Sequence, residues 1–139
     1  MRPFFADAGY WIALINPKDA LHQRACTVSE ELGTFTIVTS EMVLIEVLNG
    51  LAKYGPDIRQ GATDLVHQLY TAEGVQIVPH TSQLFKEALA LYSNRQDKGW
   101  GLTDCASFIV MCQEGITEAL AHDHHFEQMG FKALLRAEN

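Results

Sequence analysis

Four acidic residues stand out because each one ends or interrupts an apolar stretch. Asp7 follows Pro3-Phe4-Phe5-Ala6, Glu46 lies within Met42-Val43-Leu44-Ile45 and Val47-Leu48, Asp104 opens a run from Cys105 to Cys112 that carries no charge, and Asp123 comes soon after Ile116 to Ala121. Carboxylates are hard oxygen ligands, and several converging on one point suit Mg²⁺ or Mn²⁺, which keep some of their waters and take phosphate oxygens as further ligands. Such an ion lowers the pKa of a bound water, and a pair of ions stabilises both the attacking and the leaving oxygen in phosphodiester hydrolysis. Taken singly, each acid has an ordinary explanation; Asp104, for one, is a normal residue for the positive end of a helix dipole. The metal chemistry requires all of them to meet.

The elements that would bring them together follow from the hydrophobic pattern. Residues 3–6 read as a buried strand, Ala8-Gly9 as a tight turn and residues 10–15 as a helix, which leaves Asp7 at the carboxyl end of the first strand, where open parallel sheets place their ligand crevices. Residues 20–32 repeat apolar positions at helical spacing with Gly33 as the stop, turning His22 and Arg24 outward. Residues 34–39 are rich in β-branched side chains and read as the second strand, and Ser40 is suited to cap a helix over 41–53. Its expected core face is Leu44, Ile45, Val47, Leu48, Leu51 and Ala52, with Glu46 on the other side beside Met42, Asn49, Gly50 and Lys53. A helix from Pro56 to about Thr71, a third strand over 74–79 and a helix capped by Thr81, with Leu84, Phe85, Ala88, Leu89 and Leu91 inward, complete the middle of the chain.

Residues 94–101 are the most loop-like stretch, and they carry Arg95, Lys98 and Trp100 immediately before Asp104. Basic side chains beside an aromatic are what a single nucleic-acid strand uses for phosphate contact and base stacking. Gly101 ends this loop, Thr103 offers a side-chain oxygen to the first turn of the next helix, and Ser107 is the only polar residue between Cys105 and Cys112. A fourth strand over 115–121 leads to His122-Asp123-His124-His125, and residues 130–135 read as a last edge strand. Strand alternation would set His124 opposite Asp123 and His125, which argues against a histidine metal site. Strands alternating with helices imply an α/β sandwich around a mostly parallel sheet of four to five strands.

The 139 residues suffice for one domain with a real core, and 47% hydrophobic with 19% charged is ordinary globular composition. A formal net charge of −7 excludes a protein that holds nucleic acid by attraction over its whole surface. A local acid cluster loaded with divalent metal escapes that objection, because the ion inverts the charge where the phosphate must sit. No apolar run approaches the roughly 20 residues of a membrane span, and the first residues lack a secretion signal, so the expected location is cytoplasmic. Cys26, Cys105 and Cys112 are odd in number and lack C-x-x-C spacing, as expected of buried thiols.

Asp7 after the first strand, Ser40 to Leu51 around Glu46, Leu102-Thr103-Asp104-Cys105-Ala106-Ser107-Phe108, and Asp123-His124-His125-Phe126 resemble, in order, the four motifs of PIN-domain ribonucleases. The resemblance spans almost the whole chain, and in size it is similar to the VapC-type toxins of bacterial toxin–antitoxin modules. It implies one PIN-like domain over residues 1–139, a three-layer α/β/α sandwich, and a Mg²⁺- or Mn²⁺-dependent endoribonuclease with Asp7, Glu46, Asp104 and Asp123 as metal ligands. Thr103 and Ser107 would position ligands or the scissile phosphate. The toxin branch also implies a homodimer, an RNA substrate and silencing by a cognate antitoxin protein. Ala8-Gly9 lacks the hydroxyl residue often found after the first acid, and Ala121-His122 stands where many members carry a Thr and a small or polar residue. The alternative is a PIN-fold module that is catalytically silent and acts through protein or RNA binding. Gly9 occupies the place where a phosphatase of the haloacid-dehalogenase kind needs an acid, and the adjacent acids of a receiver domain are missing.

Overall fold

Pairing of the apolar runs determines the architecture. In the computed structural model, which describes residues 2–136, β1 (Pro3–Ala6) lies at the centre of a parallel sheet between β2 (Thr36–Ser40) and β4 (Glu118–Leu120). The outer positions are taken by β3 (Val75–Val78) beside β2 and β5 (Lys132–Ala133) beside β4, giving the order β3-β2-β1-β4-β5 with every pairing parallel. Around the sheet are α1 (Ala8–Ile15), α2 (His22–Leu32), α3 (Glu41–Leu51), α4 (Pro56–Thr71), α5 (Ser82–Asn94), α6 (Leu102–Glu114) and α7 (His124–Gln128). The result is a three-layer α/β/α sandwich. β1 carries the register: Phe4 and Phe5 pair with Ile37 and Val38 on one side, and Phe5 and Ala6 with Ala119 and Leu120 on the other.

This strand order creates a switch point. The chain leaves β1 toward β2 and β3, then returns to lay β4 and β5 on the opposite side, so the connections after β1 and after β4 diverge. A crevice opens outside the carboxyl ends of two such strands. Asp7 directly follows β1 and Asp123 comes three residues after β4.

Local signals explain several of the boundaries. Ser40 caps α3 by accepting the Val43 N–H at 3.1 Å, Thr81 caps α5 by accepting the Leu84 N–H at 3.1 Å, and Gly33 closes α2. Gly115 ends α6 in the left-handed region at φ 68°, a conformation that glycine adopts without penalty, which delays β4 to Glu118.

Packing departs from the simple stripe model on α3 and α5. The buried face of α3 is Met42, Val43, Leu44, Val47 and Leu51, whereas Ile45 and Leu48 are exposed; the expectation for these two and for Met42 is corrected. The cause is that α3 touches α1, α4 and α6 and so draws its core contacts from more than one stripe. Phe85 and Leu89 are likewise exposed on α5. His22 and Arg24 do not point outward either: His22 Nδ1 lies 2.7 Å from the Ala13 carbonyl, and Arg24 Nη2 donates to the Leu134 carbonyl at 3.2 Å. Cys105 is buried and Cys112 is exposed, and neither forms a disulfide. Among the described residues no helix is long and apolar enough to cross a membrane.

Candidate active site

The end of β1 sets the first acid. Thr39 Oγ1 donates to the Ala6 carbonyl at 2.8 Å and accepts from Trp11 Nε1 at 3.4 Å, a buried link between β1, β2 and α1. The Asp7 N–H donates to the Leu120 carbonyl at 3.1 Å, extending the β1–β4 ladder by one bond. Asp7 then caps α1 in extended geometry through its backbone, and its carboxylate forms no capping bond that would turn it away from the crevice.

Asp104 is positioned by α6. The helix cap is Gly101, whose N–H donates to Asp104 Oδ2 at 3.0 Å, so the acid itself satisfies a free donor of the first turn. Thr103 does not cap the helix as expected; its hydroxyl stands beside the Glu46 carboxylate. Trp100 anchors the loop before this turn. Its indole Nε1 donates to Gln128 Oε1 of α7 at 2.9 Å, and its ring meets Phe108 edge-on at 5.1 Å, which in turn meets Phe126 at 5.1 Å. An aromatic stack thus fixes the starts of α6 and α7 relative to each other.

Asp123 caps α7 by accepting the His125 N–H at 3.0 Å. His125 Nδ1 lies 2.9 Å from Asp104 Oδ2 and 3.2 Å from Asp123 Oδ1, bridging the two acids. The alternation argument that separated these histidines is corrected here: the strand ends at Leu120 and a helix begins at His124, so a period of two does not apply.

Asp7, Glu46, Asp104 and Asp123 line one cleft of about 540 Å³ at the switch point, together with His122, His124 and Arg136. The electrostatics reflect this gathering. Burial, reinforced by Asp104, Glu46 and Asp123, pushes the Asp7 carboxyl up to about 7 against the pull of the Ala8 N–H. Burial raises Glu46 as well, opposed by the Thr103 hydroxyl and reinforced by Asp104 and Asp123. Asp104 is raised by burial and by Asp123, while the Gly101 N–H and His125 hold it down. Among the described residues no Lys or Arg forms an ion pair with any of the four; Arg136, which also lines the cleft, is paired with Glu127 at 2.7 Å. Gathered carboxylates with no Lys or Arg beside them favour either a proton or a bound cation, and the oxygen donors of Asp7, Glu46 and Asp104 fit a hard divalent ion.

The other expected residues lie elsewhere. Ser107 is fully buried with its Oγ unpartnered, so it does not reach the cleft surface. Arg95 and Lys98 line a separate groove of about 610 Å³ beside Leu89 and Tyr92. Arg95 is engaged with Asp97 at 3.0 and 3.1 Å and lies over the Trp100 ring at 4.9 Å. Trp100 is only 4% exposed and has no free face for a base. Gly99 lines that same groove, and a Cβ added there would come within 3.8 Å of His125 Nε2. Sequence reasoning missed His125 and Arg136. Reading Asp-His-His-Phe as a capped helix start would have found the first; nothing local signals the second.

A parallel α/β/α sandwich with four acids gathered at its switch point is the arrangement of a PIN-type domain. The PIN-domain model matches residues 4–132, and the chain belongs to that family. The solved structure of Mycobacterium tuberculosis VapC20, a sarcin–ricin loop cleaving toxin, superposes with a TM-score of 0.81 at 26% identity, covering 92% of this chain and 95% of that one. No curated protein matches the chain in sequence.

Proposed function

We propose that the chain is a divalent-metal-dependent endoribonuclease and the toxin of a toxin–antitoxin module. The observation that carries this reading is the convergence of Asp7, Glu46, Asp104 and Asp123 in one cleft with burial and mutual repulsion raising three of their carboxyls. Membership in the PIN family and the likeness to a VapC toxin support RNA as substrate and an antitoxin as partner.

Asp7, Glu46 and Asp104 would hold Mg²⁺ or Mn²⁺, and Asp123 would support a second ion. When bound, the ion supplies an acidified water as nucleophile and a counter-charge for the scissile phosphate. The chain's own groups set the stage for that chemistry. The Thr103 hydroxyl orients the Glu46 carboxylate, while the Gly101 N–H and His125 Nδ1 fix Asp104 from two directions. The Trp100–Phe108–Phe126 stack keeps those supports rigid. Ser107, Arg95, Lys98 and Trp100 are assigned no contact with RNA, given where they lie.

The test is cleavage of labelled RNA by purified protein with Mn²⁺, beside Asp104→Asn. The wild type is expected to cut and the variant to lose about 10³-fold, equivalent to about 4 kcal/mol of barrier. Equal residual cleavage by both would replace this reading with the catalytically silent binding module.

A further inference from the structure

The acids of the cleft do not share one kind of neighbour. Asp7 meets the Ala8 N–H and Glu46 the Thr103 hydroxyl, whereas Asp123 carries two imidazoles. Its Oδ1 lies 3.5 Å from His124 Nδ1 and 3.2 Å from His125 Nδ1, and one ligand atom from each of the three residues falls within 4.8 Å of the others. Adjacent residues on a helix normally diverge. Here the cap geometry overrides that, because the His125 N–H holds the Asp123 carboxylate over the first turn of α7, where both rings begin. In a tetrahedral site with bonds of about 2.0–2.2 Å, ligand atoms lie about 3.3–3.6 Å apart. The His124 separation of 3.5 Å falls on that edge and the His125 separation of 3.2 Å lies just short of it. Asp104 Oδ2, 2.9 Å from His125 Nδ1, supplies a fourth donor. Among the described residues, these histidines are the only basic side chains within ion-pair distance of Asp104 or Asp123.

Mixed imidazole and carboxylate donors favour borderline ions such as Zn²⁺ and Co²⁺ over Mg²⁺. We propose that Asp123, His124 and His125, with Asp104, form a second cation site selective for a borderline transition ion, and that its occupation withdraws Asp104 from the hard-ion site. Binding would replace the contact between His125 Nδ1 and Asp104: the ring shifts its single proton to Nε2 through solvent, and the freed Nδ1 and the carboxylate both turn to the ion. Occupation of the two sites is then competitive, and a transition ion of this class inhibits the hard-metal reaction. The competition rests on the reading of Asp104 as a hard-ion ligand.

The experiment follows Co²⁺ binding to the metal-free full chain by its visible ligand-field absorption, with Mn²⁺ release read by electron paramagnetic resonance. In the wild type, Co²⁺ should give intense bands of tetrahedral type, Zn²⁺ should abolish them, and either ion should release bound Mn²⁺. His124→Ala should weaken Co²⁺ binding at least about tenfold while Mn²⁺ affinity changes less than about twofold. The His124 side chain is 58% exposed, and His124→Gln serves as a second variant that preserves its bulk. Equal Co²⁺ affinity and spectra in wild type and both variants would overturn the second site, and Co²⁺ bound alongside undisturbed Mn²⁺ would overturn the competition. Failure of the protein to cut RNA would count against the proposed function and leave the Co²⁺ result standing.

Discussion

The two ends of the parallel sheet treat charge in opposite ways. At the amino end, where β1 and β4 begin, Arg2 pairs with Glu118 at 3.2 Å, and Gln76 donates to Glu114 at 2.9 Å. At the carboxyl end, three acids are pushed toward protonation by burial and by neighbouring acids, and the side chain bridging Asp104 to the fourth acid, Asp123, is a histidine. The first arrangement satisfies the folded chain by itself. The second costs the folded chain stability, as expected where stability has been exchanged for function. The difference teaches which end to perturb for function and which for stability alone.

The largest effect belongs to the carboxyl end: Asp104→Asn should abolish most cleavage, as set out above, while leaving the metal-free fold intact. Asp7 sharpens the contrast through pH. Its carboxyl rises from an ordinary 3.8 to about 7 in the folded protein, so the native state holds that proton more tightly than the unfolded chain does. The stability this contributes is fully present below about pH 4 and is lost as pH climbs through 7, by up to about 4 kcal/mol in the metal-free protein. Thermal melts of Asp7→Asn should therefore show a gain over wild type at pH 8 without metal and little change at pH 4. Added Mn²⁺ should stabilise the wild type at pH 8 and leave the variant nearly unmoved. A wild-type melting temperature that rises steadily from pH 4 to pH 8 would contradict the burial of this acid.

Trp100→Phe keeps the ring stack but removes the bond to Gln128, and urea titration should register a loss of about 1 kcal/mol. Cleavage should fall less than tenfold, because the indole supports Asp104 without touching RNA. The smallest change is expected at the other end of the sheet. Arg2→Ala breaks an exposed ion pair and should cost less than about 1 kcal/mol with no effect on activity.

Much of this division could be read in the sequence, because it depends on local signals. Apolar runs set the strands, Ser40 and Thr81 marked two helix starts, and alternation of strand and helix put Asp7 and Asp123 at one edge of the sheet. What escaped was set by contacts distant in sequence. The buried side of α3 depends on three neighbouring helices, so Met42 turned inward and Ile45 outward against the simple periodicity. Trp100 beside two basic residues has the composition of a base-stacking loop, and only its packing on Phe108 shows it to be an anchor. His125 was hidden by an error of boundary: extending β4 through Ala121 carried strand alternation into what is a helix cap. Arg136 enters the cleft from the last described residue, where no pattern extends.

The central claim is that the acids separated along the chain gather to bind one divalent ion. Anomalous diffraction from a crystal of the protein grown with Mn²⁺ tests it most directly. The account predicts a strong peak in the cleft within bonding distance of carboxylate oxygens from Asp7, Glu46 and Asp104. A crystal with those three side chains ordered and no peak between them, or with Mn²⁺ bound only elsewhere on the molecule, would contradict it.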